Sequence, residues 1–198
     1  MRVAWGRHDR SEDAVERILA AAEVLYVERG FDTTTMADVA IEAGCARATL
    51  YNYFSSKEDL RTALRNRAAI AIATEATERV AHLTDPAARM TEAMITAIRR
   101  VRATPALATW FKGENLALTS ELAQSSDVID AIAVGFARDL RISDAGTPNV
   151  RARLIIRMII SFLSAPEVDE AHERTLIESM AVGLTQGSNP TSRSNEPK

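Results

Sequence analysis

The residues best suited to chemistry crowd into one stretch of the chain, Thr35 to Phe54. Within it, Arg47 and Thr49 can donate hydrogen bonds to bases or phosphates, and Asn52 can bond a base edge with both ends of its amide. Tyr51 can offer its hydroxyl to a phosphate, and Ala48 is small enough for close approach. This is recognition chemistry rather than bond-making. The rest of the chain shows no paired carboxylates, metal-ligand spacing, glycine-rich phosphate loop or nucleophile beside a base. The single cysteine, Cys45, excludes an internal disulfide framework and a cysteine-rich zinc cluster. His8, His82 and His172 are scattered. No cofactor, metal or enzymatic activity is expected.

Such side chains need a rigid frame, and the flanking residues supply one. Val15, Ile18, Leu19, Ala22, Leu25 and Tyr26 recur at helical spacing and make 11–29 an amphipathic helix. Asp9 or Ser11 can cap its start, and Arg29-Gly30 stops it. After a short extended link, Phe31 to Thr34, the run Thr35-Met36-Ala37-Asp38 is a capping box opening a two-turn helix over 36–43. Gly44 halts that helix, and another short one follows over 46–53. Ser55-Ser56-Lys57-Glu58 reads as a second capping box, opening a longer helix toward His82 with Leu60, Ala63, Leu64, Ala68 and Ala71 on one face. Two short helices joined by a glycine turn and braced on both sides form a helix-turn-helix. Its second helix would lie in a DNA major groove, its first residues near base edges. Leu50 and Phe54 would then face inward, against helix 11–29. The plainer alternative is a structural hairpin.

Asp85-Pro86 and Thr104-Pro105 each place a capping residue before a proline, and so mark helices over 86–102 and 105–118. Ile129, Ile132, Ala133, Phe136 and Leu140 mark a further helix that starts between Ser120 and Ser126. A loop over 143–149 precedes helix 149–164, which is apolar nearly all round except for Arg153, Arg157 and Ser161. Pro166 separates it from a last helix over 168–185. No strand alternation or internal repeat is present. The expected fold is all-α with about nine helices: a basic arm (1–10), a helix-turn-helix domain (11–67), a larger helical domain (68–186) and a tail of disorder composition (187–198).

Composition agrees with that reading. Of the 198 residues, 46% are hydrophobic, enough for a real core, and only 5% are aromatic. The strongest apolar run, Leu154 to Leu163, is too short for a membrane span and contains Arg157. The polar start, Met1 to Asp13, lacks a signal-peptide pattern, so a soluble, cytoplasmic protein without membrane partners is expected. A net charge of −3 gives no global basic footprint. Charge becomes informative only locally: residues 44–67 hold Arg47, Lys57, Arg61, Arg65 and Arg67 against Glu58 and Asp59. A positive face on an otherwise acidic chain would favour DNA at one place and limit non-specific binding elsewhere.

The runs Gly30-Phe31-Asp32-Thr33-Thr34-Thr35-Met36-Ala37-Asp38-Val39-Ala40, Ala43-Gly44 and Thr49-Leu50-Tyr51-Asn52-Tyr53-Phe54-Ser55-Ser56-Lys57-Glu58-Asp59-Leu60 together resemble the tetracycline-repressor (TetR) family. The resemblance is dense over residues 11–60 and only architectural beyond. It implies a dimeric, all-helical, one-component regulator: a three-helix DNA-binding domain followed by an effector-binding and dimerisation domain. By the same resemblance, Thr35, Tyr51 and Lys57 match phosphate-contacting positions. Arg47, Ala48, Thr49 and Asn52 fall on recognition-helix positions. Cys45 departs from the usual valine, glycine or serine, either as a small half-buried residue or as a redox sensor.

In the larger domain, Leu107, Trp110 and Phe111, with Met90, Met94, Phe136 and Phe162, are candidates to line an apolar effector cavity. Glu114 and Asn115 would orient the ligand; the plainer alternative is that Trp110 and Phe111 are core and Glu114 pairs with an arginine. Resemblance makes 149–164 and 168–185 the homodimer helices; alternatively, 149–164 is the central buried helix. The expectation is a repressor that binds a palindromic double-stranded DNA operator as a dimer. A small, largely apolar effector would release it, with the helix from Lys57 acting as lever. The alternative is an architectural or protein-interaction module without an effector, which a fully packed interior and no ligand response would favour.

Overall fold

The computed structural model describes residues 7–108, 111, 126–142 and 150–186. Regular structure among them is helical: α1 (Arg7–Arg29), α2 (Met36–Glu42), α3 (Arg47–Tyr53), α4 (Lys57–Val80), α5 (Pro86–Ala103), α6 (Pro105–Ala108), α7 (Asp127–Asp139), α8 (Val150–Ser164) and α9 (Glu170–Gln186). The chain divides into two compact units, with the boundary between Ala68 and Ala69.

In the first unit α1 starts at Arg7, ahead of both Asp9 and Ser11, so neither is its N-cap. No glycine or proline interrupts Arg7 to Arg29, and each added residue brings one more hydrogen bond once the helix is nucleated. Ile18, Leu19, Ala22, Leu25 and Tyr26 are buried, as their spacing requires. Gly30 ends the helix at φ 85°, a conformation that favours glycine, and its N–H returns to the Tyr26 carbonyl at 3.2 Å. The link that follows is not extended: Phe31 to Thr33 turn, and the Thr34 N–H closes on the Phe31 carbonyl at 3.3 Å. Thr34 is buried, and its hydroxyl lies 2.8 Å from the Gly30 carbonyl and 3.3 Å from that of Leu25. A buried hydroxyl left unpaired would cost about 1–3 kcal/mol, and these acceptors avoid that cost.

The capping box of α2 is present: the Asp38 N–H reaches Thr35 Oγ1 at 3.2 Å, and the Thr35 N–H reaches Asp38 Oδ2 at 2.8 Å. At the start of α4 the box is shifted by one residue from its expected place. The Asp59 N–H bonds Ser56 Oγ at 3.0 Å, and the Ser55 hydroxyl donates to Asp59 Oδ2. Glu58 instead pairs with Arg61 at 2.7 Å, one helical turn on, where its charge has a partner.

In the second unit the central helix is α5, not α8. Met90, Ala93, Met94, Ile95, Ala97, Ile98 and Val101 are buried there, with the polar Thr91 and Thr96. The helix packs against α6, α8 and α9, while α7 packs on α8. Asp85 caps α5 as expected, accepting from the Ala88 N–H at 2.7 Å with Pro86 beside it. The Thr104 hydroxyl donates back to the Arg100 carbonyl at 2.9 Å, while the Thr104 carbonyl accepts from the N–H groups of Leu107 at 3.0 Å and Ala108 at 2.9 Å. Ser126 caps α7 through the Ile129 N–H at 3.3 Å. Helix α8 is two-faced: Ala152, Ile155, Ile156, Phe162 and Leu163 are buried, whereas Arg153, Arg157 and Ser161 are exposed. The expected loop over 143–149, the tail from 187 and most of 109–118 lie outside the described residues.

Candidate nucleic-acid interface

The recognition candidates ride on a helix fixed by one face. Leu50 is 0% exposed and Phe54 is buried just past the helix end, so both face inward as expected, and α3 packs on α2. Arg47, Ala48, Tyr51 and Asn52 are exposed, and Thr49 is half-buried. The turn that aims α3 depends on Gly44 at φ 64°, followed by a hydrogen bond of 3.0 Å from the Cys45 N–H to the Ala40 carbonyl. Cys45 is a free, half-buried thiol in that turn.

Thr35 and Lys57 flank this helix in sequence, and both already hold partners. Thr35 Oγ1 sits 2.6 Å from Asp38 Oδ2, so its single hydroxyl proton is committed to the capping box. Lys57 Nζ donates to the Asp32 carbonyl at 3.2 Å and stands 4.3 Å from the centroid of the Phe31 ring. Half-buried Asp38 has its carboxyl held below the ordinary value, first by the Thr35 hydroxyl and then by the Thr35 N–H. Asp59 is held down likewise by Ser55 and then Ser56.

Not all the local positive charge is available. Arg61 pairs with Glu58, while Arg67 bonds Glu16 at 3.0 Å and Glu23 at 2.5 Å, both on α1. Counting charges over 44–67 misses these last two partners because they are distant in sequence. Arg65 donates to Thr62 at 2.8 Å, and burial, then neighbouring Arg61, lowers its pKa. Beneath lies Tyr26, whose buried hydroxyl has no partner; burial first, then Glu58, pushes its pKa up to about 12 against the opposing effect of Arg61.

The described apolar candidates of the second unit are spread over several helices. Met90, Met94, Leu107 and Phe162 are buried, Phe136 packs on the cluster of Ala76, Val80 and Ala93, and Phe111 is half-buried. Trp110, Glu114 and Asn115 lie outside the described residues. A different feature lies between α5 and α9: a cleft of about 500 Å³ lined by Ile95, Arg99, Arg102, Ala103, Glu170, Glu173 and Arg174. Its signal was available as matched spacing, with Arg99 and Arg102 three apart on one helix and Glu170 and Glu173 three apart on the other. Among the described residues no cluster of metal-ligand side chains occurs, and no helix is long and apolar enough to cross a membrane.

Residues 18–64 match the family of bacterial regulatory proteins described as tetR. The HTH-type transcriptional regulator Rv1255c of Mycobacterium tuberculosis is 39% identical over 189 residues, covering 96% of this chain and 94% of its own. The chain belongs to the TetR family of helix-turn-helix regulators, and is a DNA-binding transcriptional regulator. Among solved structures, the TetR family repressor AlkX from Dietzia sp. strain DQ12-45-1b, implicated in biodegradation of n-alkanes, superposes with a TM-score of 0.67. It is 21% identical, with 93% of this chain and 98% of that one covered. RolR in complex with resorcinol gives a TM-score of 0.62 at 16% identity, covering 96% of this chain and 100% of that one.

Proposed function

We propose that the protein is a homodimeric repressor that inserts α3 of each protomer into successive major grooves of a palindromic operator. The observation that carries this is the division of α3, with Leu50 sealed inside and Arg47, Ala48, Tyr51 and Asn52 facing out. Arg47 and Thr49 are the groups for bases or phosphates, Asn52 for a base edge and Tyr51 for a phosphate, and Ala48 permits close approach. Lys57 serves a phosphate as a point charge. Thr35 can donate to a phosphate only by releasing Asp38. Two-fold symmetry puts the half-sites about one turn (~34 Å) apart.

Dimerisation is assigned to α8 and α9, where Val150, Leu154, Met180 and Val182 leave apolar surface exposed beyond what the core uses. Release is assigned to a small, largely apolar effector within the second unit. Support comes from resorcinol in RolR and from the n-alkane association of AlkX. Such a molecule acts only through its difference in affinity between DNA-competent and DNA-incompetent states.

The test is binding of the purified protein to DNA upstream of its own gene across a salt series. Dimeric binding that weakens steeply with salt and is lost in Arg47→Ala/Tyr51→Phe supports the repressor reading. Phenolic and alkane compounds are then screened for release. If neither class nor a broader apolar library changes operator affinity, the effector assignment fails and the interaction-module reading replaces it.

A further inference from the structure

Phe31 is half-buried in the turn after α1 and lies against two cations. Lys57 Nζ is 4.3 Å from its ring centroid, and the guanidinium carbon of Arg61 is 4.4 Å away. Tyr26 meets the same ring in a T-shaped arrangement, centroids 5.2 Å apart and planes at 65°, which anchors it to the core of α1. Lys57 and Arg61 are four apart on α4, a spacing at which like charges repel. The negative face of an aromatic ring attracts both, so Phe31 offsets that repulsion where an aliphatic side chain cannot.

The two cations have different fates. The Arg61 side chain is only 14% exposed and is paired with Glu58. Lys57 spends one ammonium proton on the Asp32 carbonyl and keeps two. A lysine held in this way reaches a phosphate without first being ordered, and ordering one long side chain on binding lowers affinity about two- to tenfold. We propose that Phe31 is a positioning residue for DNA binding, its ring holding Lys57 in the place from which it meets the DNA backbone. This rests on the reading of Lys57 as a phosphate contact.

The test is a double-mutant cycle on the full-length protein, read by fluorescence anisotropy with a mixed-sequence duplex at low salt, where phosphate contacts dominate. Phe31→Met keeps apolar volume but removes the ring. It is expected to weaken binding about three- to tenfold in the wild-type background and by less than about twofold in Lys57→Ala. Phe31→Tyr, which keeps the ring, is expected to bind like wild type. Equal losses in both backgrounds, or no loss in Phe31→Met, would overturn the positioning role while leaving Lys57 as a contact. No loss in Lys57→Ala would overturn the contact itself, and the proposal with it. Should Phe31→Met unfold, NMR of the wild-type protein decides: upfield ring-current shifts of the Lys57 methylenes support the proposal, and ordinary shifts overturn it.

Discussion

Arg102 and Glu173 meet through two parallel hydrogen bonds, Nη1 to Oε1 at 2.8 Å and Nη2 to Oε2 at 2.7 Å, tying α5 to α9. The same Nη2 also donates to the Phe162 carbonyl of α8 at 2.8 Å, and the Glu167 N–H reaches Glu173 Oε2 at 3.4 Å. Glu173 is buried, and Arg102, first through its hydrogen bonds, holds its carboxyl below the ordinary range. One guanidinium therefore clamps three helices of the second unit. Arg102→Met takes the guanidinium from a buried carboxylate and is expected to destabilise by the lower part of ~3–5 kcal/mol, since Arg102 is partly exposed and the Glu167 N–H remains. Pairing it with Glu173→Leu should recover much of the loss. Denaturant melts check this, and a double variant as unstable as the single one would show that the clamp is not an isolated pair.

Leu50 supports α3 from below with no exposure to solvent. Leu50→Ala is expected to cost about 2–5 kcal/mol and to loosen α2 and α3. Hydrogen exchange should show faster amides over 36–54 with those of α5 unchanged, and DNA binding should fall with them. Uniform exchange across both units would instead mean that they unfold as one.

Arg47→Ala should cost about 1–3 kcal/mol of operator binding and relax preference at the base it reads. Lys57→Ala should weaken all sequences alike and lower the salt slope by about one. Salt titrations on operator and mixed-sequence duplexes separate these effects. A sequence-independent loss in Arg47→Ala would move that residue to the backbone.

Asp38 and Asp59 carry carboxyls depressed in the folded state. A depressed carboxyl favours folding above its unfolded value of about 3.9, and the contribution fades as pH falls through the lower folded value. The first unit should therefore lose stability below about pH 4, with Asp38→Asn and Asp59→Asn each flattening the decline. Thermal melts from neutral to acid pH measure it. An unchanged acid slope in the double variant would remove the capping boxes as its source.

Leu154, 41% exposed on α8, lies on the face assigned to the dimer. Leu154→Glu is expected to convert dimer to monomer, read by sedimentation, and to weaken operator binding while leaving the helical circular dichroism signal intact. A dimer that survives this change would place the interface elsewhere.

What the sequence determined by itself is local. The 3.6-residue spacing from Val15 to Tyr26, the box at Thr35 and the stops at Gly30 and Gly44 all arise from neighbours within a few turns. Such features are legible without a fold because backbone geometry alone relates them. The polar row of α3 was legible for the same reason, since burial of Leu50 and Phe54 turns the remaining positions outward. Tertiary structure decided the rest. Only folding brings Glu16 and Glu23 to Arg67, Phe31 to Lys57 and Arg61, and Glu173 to Arg102. These pairs are separated by 26 to 71 positions, beyond any helical period. The choice of α5 over α8 as the central helix is of the same kind. Both sequences are apolar enough to be buried, and which one is surrounded depends on how α6, α8 and α9 pack around α5.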